Sequence, residues 1–599
     1  MNNSQKILLH NALALGSAAL KEQRQADGLW RGYLSSSAVS TAVAAFALET
    51  AALNKNSYAL EEQFLVDFAV KWLTDHQNRD GGWGDTPQSP SNLSATLLAR
   101  STLLCRKDNH EASEALYNSE AWLTRNIDGC SPSAIMDGVL TFYGKDLTFS
   151  VPILTMCVLS GQLDEKTSAW RKIPQLPFEL AALPRRFFNL LNLPVVSYAI
   201  PALIAAGLSR FRNAGKSFSP LSFLRRLVTP LVLRKLTLLQ PSNGGFLEAA
   251  PLTGFVTMCL ASAGLADDAV VNKGLQFLTA NVREDGSWPI DTDLSIWLTT
   301  LAVNASDISG EMTIGERTEL AALIKRQQST RINPFTLAQP GGWAWTDRPG
   351  GVPDADDTSG ALVALSILQP DNCDSQVIAG IEWLLHIQNG DGGIPTFCRG
   401  WGLLPFDQSS PDISAHALKA FLRWRDKTEP VMCNRIDRAI TKIIAYLSKS
   451  QRQFGSWRPL WFGDQHHPRQ YNPVYGTGMV LKALKEDPDS YPDMISTAVK
   501  FLVGAQNPDG GWGGAAGLPS NVECTGIAVD ALSGFPAAET NAWDGAVYIA
   551  DKITSAVSSM PEPSAVGLYF ASLWYDEQLY PLLFGLPALR AVVSLIREE

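Results

Sequence analysis

The chain is 599 residues long, room enough for two domains with separate cores, and 46% of it is hydrophobic against 18% charged. Its 49 basic and 59 acidic residues leave a net charge of −10, and no basic run is long enough to track a phosphate backbone, which argues against nucleic acid as a partner. The eight cysteines, Cys105, Cys130, Cys157, Cys259, Cys373, Cys398, Cys433 and Cys524, include no Cys-x-x-Cys pair, so they predict reduced core thiols in a cytosolic protein and neither a zinc site nor a disulfide frame.

Residues 1–20 read as a mildly apolar Ala/Leu helix, with too little charge ahead of it for a secretory signal. A phrase then begins to recur: an apolar helix, Gln-x-x-x-Gly-x-aromatic, a loop, and a second apolar helix. It stands at 77–83, 240–246, 451–457 and 506–512; Ile394 replaces the aromatic after Gln388, and looser copies end at Trp30, Trp288 and Trp343. The helix before each copy has helical apolar spacing, as in Phe68, Val70, Trp72 and Leu73 or Ile381, Trp383, Leu384 and Ile387, and the Asp-Gly or Gly-Gly ends it. Apolar helices are predicted after the turns at 93–104, 294–303, 413–422, 479–484 and 527–532. The most apolar stretch, 190–206, is broken by Asn192, Pro194, Ser197 and Pro201, so no membrane span is predicted. Strand signals are nearly absent. Repeated helical hairpins therefore predict an all-α fold, an α/α toroid in which one ring of helices surrounds another. In the repeated phrase the Gln amide is placed to cap helix-end groups and the Trp to stack on the next repeat.

The stretch Pro353-Asp354-Ala355-Asp356-Asp357-Thr358 sets three carboxylates directly before an apolar run at 361–368. Taken alone, Asp354 and Asp357 are spaced as a helix cap. Three like charges so close also cannot all ionise cheaply away from water, so one proton is held well above the usual carboxylate range and the group becomes a strong acid. Two alternatives remain. A protein prenyltransferase subunit would need a zinc, for which Asp371 and Cys373 supply two ligands without an obvious histidine; a toroid used only for binding would have no reason to gather carboxylates and tryptophans. No Asp-Asp-x-x-Asp motif is present to ionise a diphosphate with magnesium.

Tandem Gln-Trp turns together with Asp-x-Asp-Asp-Thr resemble the squalene-hopene cyclases, the protonation-initiated class of terpene cyclase, over essentially the whole chain. Segments 143–152 and 474–478 resemble family segments too. The resemblance implies two α/α barrels with the N-terminal one inserted: a leading segment 1–20 packing on the C-terminal barrel, the N-terminal barrel over 21–300, and the barrel bearing the acid motif over 301–599. It implies no cofactor and no metal, and a linear polyprenyl substrate, squalene first, with a shorter polyprene carrying a polar head (a prenylated aromatic, for example) as the alternative. Asp356 would deliver the proton, with Asp354 and Asp357 as flanking carboxylates that stay charged. His416 would orient the acid, a role also supported by aligning 360–362 with 416–418, which places it in the equivalent helix of the next repeat.

A developing carbocation needs aromatic faces, which attract positive charge without a lone pair to quench it. By position in the family's pattern these are Trp345, nine residues before Asp354, with Trp343 beside it; Trp461, four after Trp457; Tyr475, before Gly-Thr-Gly; and wall residues among Tyr569, Phe570, Trp574, Tyr575 and Tyr580. The chain departs from the pattern in a polar insertion with Asp464, Gln465, His466, His467 and Arg469, in the segment 561–565, at Ile394, and at 195–199, where the family's tryptophan is missing. These departures leave substrate size open. Finally, 217–239 joins apolar residues to Arg225, Arg226, Arg234 and Lys235, which together with the family's one-sided attachment predicts a monotopic protein on the cytoplasmic face of a membrane, with a homodimer left open.

Overall fold

The computed structural model describes residues 3–55, 60–144, 147–163, 167–184, 195–215, 218–306, 312–568 and 572–598. Its architecture follows from two kinds of helix. Inner helices such as Ala355–Leu368 are buried almost all round, because they have neighbours on every side. Outer helices bury one stripe: Pro430–Ser450 hides Met432, Ile436, Ala439, Ile440, Ile443 and Leu447, which recur at one, three or four positions along one face, and leaves its other face to water.

Among the described residues, the helices Ser295–Ser306, Ala355–Leu368, Pro411–Trp424, Pro473–Leu484, Val522–Leu532 and Tyr580–Glu598 each pack on the next, and the last returns to the first, closing an inner ring. Around it stand outer helices, including Asn3–Glu22, which packs against Glu539–Ser555 and Tyr580–Glu598. A second ring runs through Ala38–Lys55, Leu93–Leu103, Leu147–Leu159, Val196–Asn213 and Ala250–Leu260, closing where the first meets the last. Two small antiparallel sheets, invisible in the sequence pattern, join Ile394–Pro395 to Ser409–Ser410 and Phe462–Gly463 to Val566–Leu568 and Leu573–Tyr575.

The repeated phrase is a hydrogen-bonded joint. The Gln388 amide donates to the Gly392 carbonyl of its own turn at 2.9 Å and to Ala439 of the next outer helix at 3.1 Å; Gln77, Gln240, Gln328, Gln451 and Gln506 do the same in their repeats. Gly392 must be glycine there, with φ +95° and no room for a Cβ against the Lys442 carbonyl. The tryptophan does more than stack: its indole N–H donates back to a carbonyl of the preceding helix, Trp457 to Leu447 at 2.8 Å and Trp512 to Leu502 at 2.7 Å. The backbone N–H of the same residue donates to a Thr or Ser hydroxyl near the start of the following inner helix.

Two of these joints bridge the chain's crossings between rings. Trp30 donates to the hydroxyl of Thr299 at 3.1 Å, and Trp288 to that of Thr41 at 3.0 Å. The chain therefore begins in the second-half ring, leaves it after Trp30, and returns after Trp288. A division at residue 300 falls inside the helix Ser295–Ser306, which is wholly part of the C-terminal ring, and a leading segment ending at residue 20 omits Trp30; the crossings lie ten or so residues from those expected because each joint needs its turn and its hydroxyl on opposite sides of the crossing. Among the described residues no helix is long and apolar enough to cross a membrane.

Candidate active site

The Thr or Ser hydroxyl that meets its turn faces outward, so the residue two positions earlier, about 200° around the helix, faces the ring axis. In the C-terminal ring these hydroxyls belong to Thr299, Thr358, Ser414, Thr477 and Thr525. The residues two earlier are Trp297, Asp356, Asp412, Tyr475 and Glu523. The mouth of the ring is thus lined by one repeat position, occupied by two aromatics and three acids. Trp297, Asp412 and Glu523 were not singled out as site residues from sequence, although the spacing to the Thr or Ser would have found them.

Asp354 caps the acid helix, its Oδ1 accepting the Asp357 N–H at 2.9 Å, and the cap turns Asp356 toward the mouth. Asp356 Oδ1 lies 2.6 Å from His416 Nδ1. The Asp356 side chain keeps 16% of its surface open against 8% for His416, whereas Asp354, Asp357 and Asp412 are buried, so of these carboxyls Asp356 is the one presented to a ligand. His416 enters beside Gly360, where a Cβ would meet its Cε1 at 3.5 Å, and its ring stands edge-on to Trp297, centroids 6.2 Å apart. The Trp297 N–H reaches the Tyr580 hydroxyl at 3.2 Å, and Tyr580 in turn meets the Tyr575 hydroxyl at 3.2 Å.

The flanking carboxylates differ from the expectation that both stay charged. Burial, with no cation beside them, pushes both upward, and the nearby charge of Asp354 pushes Asp357 further; the pair shares a proton, with Asp357 the neutral member and its Oδ1 unpartnered. Burial also lifts Asp412 to about 7, although the Ser410 hydroxyl bonds its Oδ1 and works the other way. The Tyr475 and Tyr575 phenols are raised, first by burial, with the Asp356 charge adding to each.

The predicted aromatics divide. Trp345, Phe397, Phe406 and Trp461 form one cluster, with Phe397 at 6.5 Å from Trp345 and 5.6 Å from Trp461; Tyr198 supplies a ring from the other barrel, 4.9 Å from Phe397. Tyr475 packs on Phe462 at 4.7 Å. Trp343 is not brought to the site: it is wholly buried, its indole donating to Ile324 at 2.7 Å, because it is the joint tryptophan of its repeat. Trp574 is buried too, held through its backbone N–H on Asp85 at 2.6 Å. Tyr569 and Phe570 lie outside the described residues. The polar insertion turns outward: Asp464 anchors it to Gly514 at 3.0 Å, while His466 and Arg469 are exposed.

Comparison with known proteins gives this geometry its kinship. The ent-copalyl diphosphate synthase of Streptomyces platensis shares the fold, with a TM-score of 0.60 at 17% identity over 98% of this chain and 99% of that one. The squalene–hopene cyclase of Bradyrhizobium diazoefficiens is 23% identical over 85% of this chain and 82% of its own length, and the squalene hopane cyclase of Aspergillus fumigatus is 29% identical over 74% and 70%. The enfumafungin synthase of Hormonema carpetanum is 26% identical over 74% of this chain, which spans only 38% of that protein's length. The squalene-hopene cyclase C-terminal domain model matches residues 5–105 and 294–543, more than half of the chain, taking in Asn3–Glu22, which packs on the C-terminal ring, and most of that ring: the chain belongs to the squalene-hopene cyclase family, the class II terpene cyclases.

Proposed function

We propose that the protein protonates the terminal double bond of a linear polyprene through Asp356 and lets the resulting carbocation close rings along the folded chain. The observation that carries this reading is the 2.6 Å contact between Asp356 and His416 at the mouth of the ring. With Nδ1 protonated, His416 donates to Asp356 Oδ1, which leaves the second oxygen to hold the proton. That proton passes to the alkene carbon, whose π electrons form the new C–H bond; Asp356 is left as a carboxylate beside His416, and the tertiary cation is attacked by the next double bond. Neutral Asp357 adds little repulsion to the new carboxylate. The ring faces of Trp297, Trp345, Trp461, Phe397 and Tyr475 are suited to hold the moving positive charge without capturing it.

Squalene is the first substrate to test. Incubating the protein with linear polyprenes of graded length, with and without a polar head, and identifying the cyclic products by mass spectrometry tests the reading; no cyclisation of any member would refute it.

Membrane attachment belongs to the same proposal, because such a substrate is delivered from lipid. The helix Pro220–Leu239 exposes Phe223 (70%), Leu227 (68%) and Leu238 (70%), an apolar face of the kind that lies in a bilayer interface. Some of its cations serve the protein instead: Arg225 pairs with Glu179 at 2.9 Å, and Lys235 donates to Ala181 and Leu183. Beside this face a pocket of about 710 Å³, with Leu231, Leu238, Ile332 and Leu337 in its walls, adjoins one of about 420 Å³ that shares Leu337 and reaches Phe397 and Tyr198. These adjoining clefts, which also carry Arg234, Lys235, His386 and Arg399, lie between the exposed helix and the aromatic cluster and support entry from a membrane.

A further inference from the structure

Where the chain returns from the N-terminal ring to the C-terminal ring, three carboxyl groups sit together at Glu248, Asp291 and Asp293, and two of them are saturated. Glu248 accepts from Asn243, from the Thr292 hydroxyl at 3.0 Å and from the Gly350 N–H at 2.6 Å. Asp293 accepts from Arg31, Thr346, Arg348 and the Ser295 N–H, at 2.7 to 3.1 Å. Asp291 is met less fully, by the backbone N–H of Thr292. Its Oδ1 is buried and unpartnered, and so is the indole N–H of Trp345, which lies toward it from outside hydrogen-bonding geometry. Two buried polar groups left facing each other are costly unless something polar meets both.

The surroundings say what that would be. Burial, reinforced by the charges of Glu248 and Asp293, raises Asp291 well above its ordinary value, which favours the protonated carboxyl, a hydrogen-bond donor as well as an acceptor. Trp345 presents its ring to Phe397, so its N–H side is the polar edge of the aromatic wall. Tyr575 lies near enough to both Asp291 and Asp356 for the ionisation of either to raise its phenol, after burial. A polyprene whose alkene end meets Asp356 can bring its other end to Asp291.

We infer that Asp291 and the Trp345 N–H form an oxygen-binding clamp, and that the substrate is a polyprene bearing a hydroxyl or carbonyl at the end remote from the protonated alkene. Asp291 is a specificity-determining residue in this account, the carboxyl O–H donating to the substrate oxygen and the indole N–H donating to its other lone pair. The inference rests on the cyclase reading and deepens it. It places the polar recognition in the interior and not on the exposed loop that carries Arg469.

The test uses the full chain and a matched pair of substrates, geranylgeraniol and the hydrocarbon lacking only its hydroxyl. The wild type should prefer the alcohol in kcat/KM by at least about tenfold, since a site built to bond an oxygen discriminates strongly against its loss. Asp291→Leu should erase that preference and Asp291→Asn, which keeps a donor and an oxygen, should retain most of it. Equal preference in the wild type, or an equal fall on both substrates in the Leu variant, would overturn the clamp and make Asp291 structural. A second readout does not need turnover: in Asp356→Asn, the infrared carbonyl band of the neutral carboxyl that vanishes in the Asp356→Asn, Asp291→Asn double variant should shift on adding the alcohol and not the hydrocarbon. A band that does not move refutes the inference even if the cyclase reading stands; a band that moves while the wild type cyclises neither substrate keeps the clamp and refutes the cyclase reading for this pair.

Discussion

Replacing Asp356 by Asn separates the acid's chemistry from its structural role. The amide has the carboxyl's shape, and its oxygen can still accept from His416 Nδ1, now at 2.6 Å. Asp356 is also the carboxyl of the cluster that remains partly open, at 16%, so no buried group loses its only partner. The stability cost should therefore be below about 1 kcal/mol, a melting shift of about 2 °C at most. Activity should behave otherwise, because an amide cannot transfer a proton to an alkene carbon: the loss should reach at least about 10³-fold, in the upper range for removal of a general acid and equivalent to about 4 kcal/mol of barrier. The assay is product formation per enzyme from whichever polyprene the wild type cyclises, alongside a thermal melt of the same preparation. Turnover within tenfold of wild type would remove Asp356 from the acid role; a melt lowered by ten degrees would show that the structural argument is wrong instead.

His416→Ala should cut turnover at least about 10²-fold by freeing the acid's orientation, whereas His467→Ala in the exposed insertion should leave it near wild type, and the product assay ranks the two. Gln388→Ala strips the amide donor from the Gly392 and Ala439 carbonyls and should lower stability by roughly 2–4 kcal/mol, read by denaturant unfolding with the cyclisation products unchanged. Asp412 is raised from an unfolded value of about 3.9 to about 7 in the fold; its proton is held more tightly by the native state, so its contribution is fully present below about pH 4 and is lost as pH rises through about 7. Asp412→Asn, neutral throughout, should gain on the wild type by roughly 2–4 kcal/mol between those limits, and parallel unfolding curves across the range would contradict this. Leu224→Glu with Leu231→Glu should reduce co-sedimentation with anionic liposomes several-fold, because each places a charge on the exposed apolar face; unchanged sedimentation would assign that face another role.

By itself the sequence determined what depends on short-range chemistry. The apolar spacing, the Gln, Gly and Trp of each turn and the Asp-rich helix start are local, so the helical hairpins and the toroid were legible from residue order alone, while the pairing of Asp356 with His416 was legible through the family resemblance and the alignment of one repeat on the next. Departures arose where the deciding contact joins residues far apart in the chain. Trp343 shares its spacing with a pocket aromatic, yet its indole is committed to Ile324. The flanking carboxylates were expected to stay charged, but charge depends on desolvation, which exists only once the ring closes around them. The crossing points are set by Trp30 meeting Thr299 and Trp288 meeting Thr41, pairs that lie 269 and 247 residues apart. Asp291 shows the limit most plainly: nothing in its neighbours along the chain marks it, and only the packing of one ring against the other, which satisfies Glu248 and Asp293 and leaves Asp291 facing Trp345, makes it a candidate for recognition. Periodicity encodes which face of a helix is buried, while the state of a buried polar group is a property of everything that surrounds it.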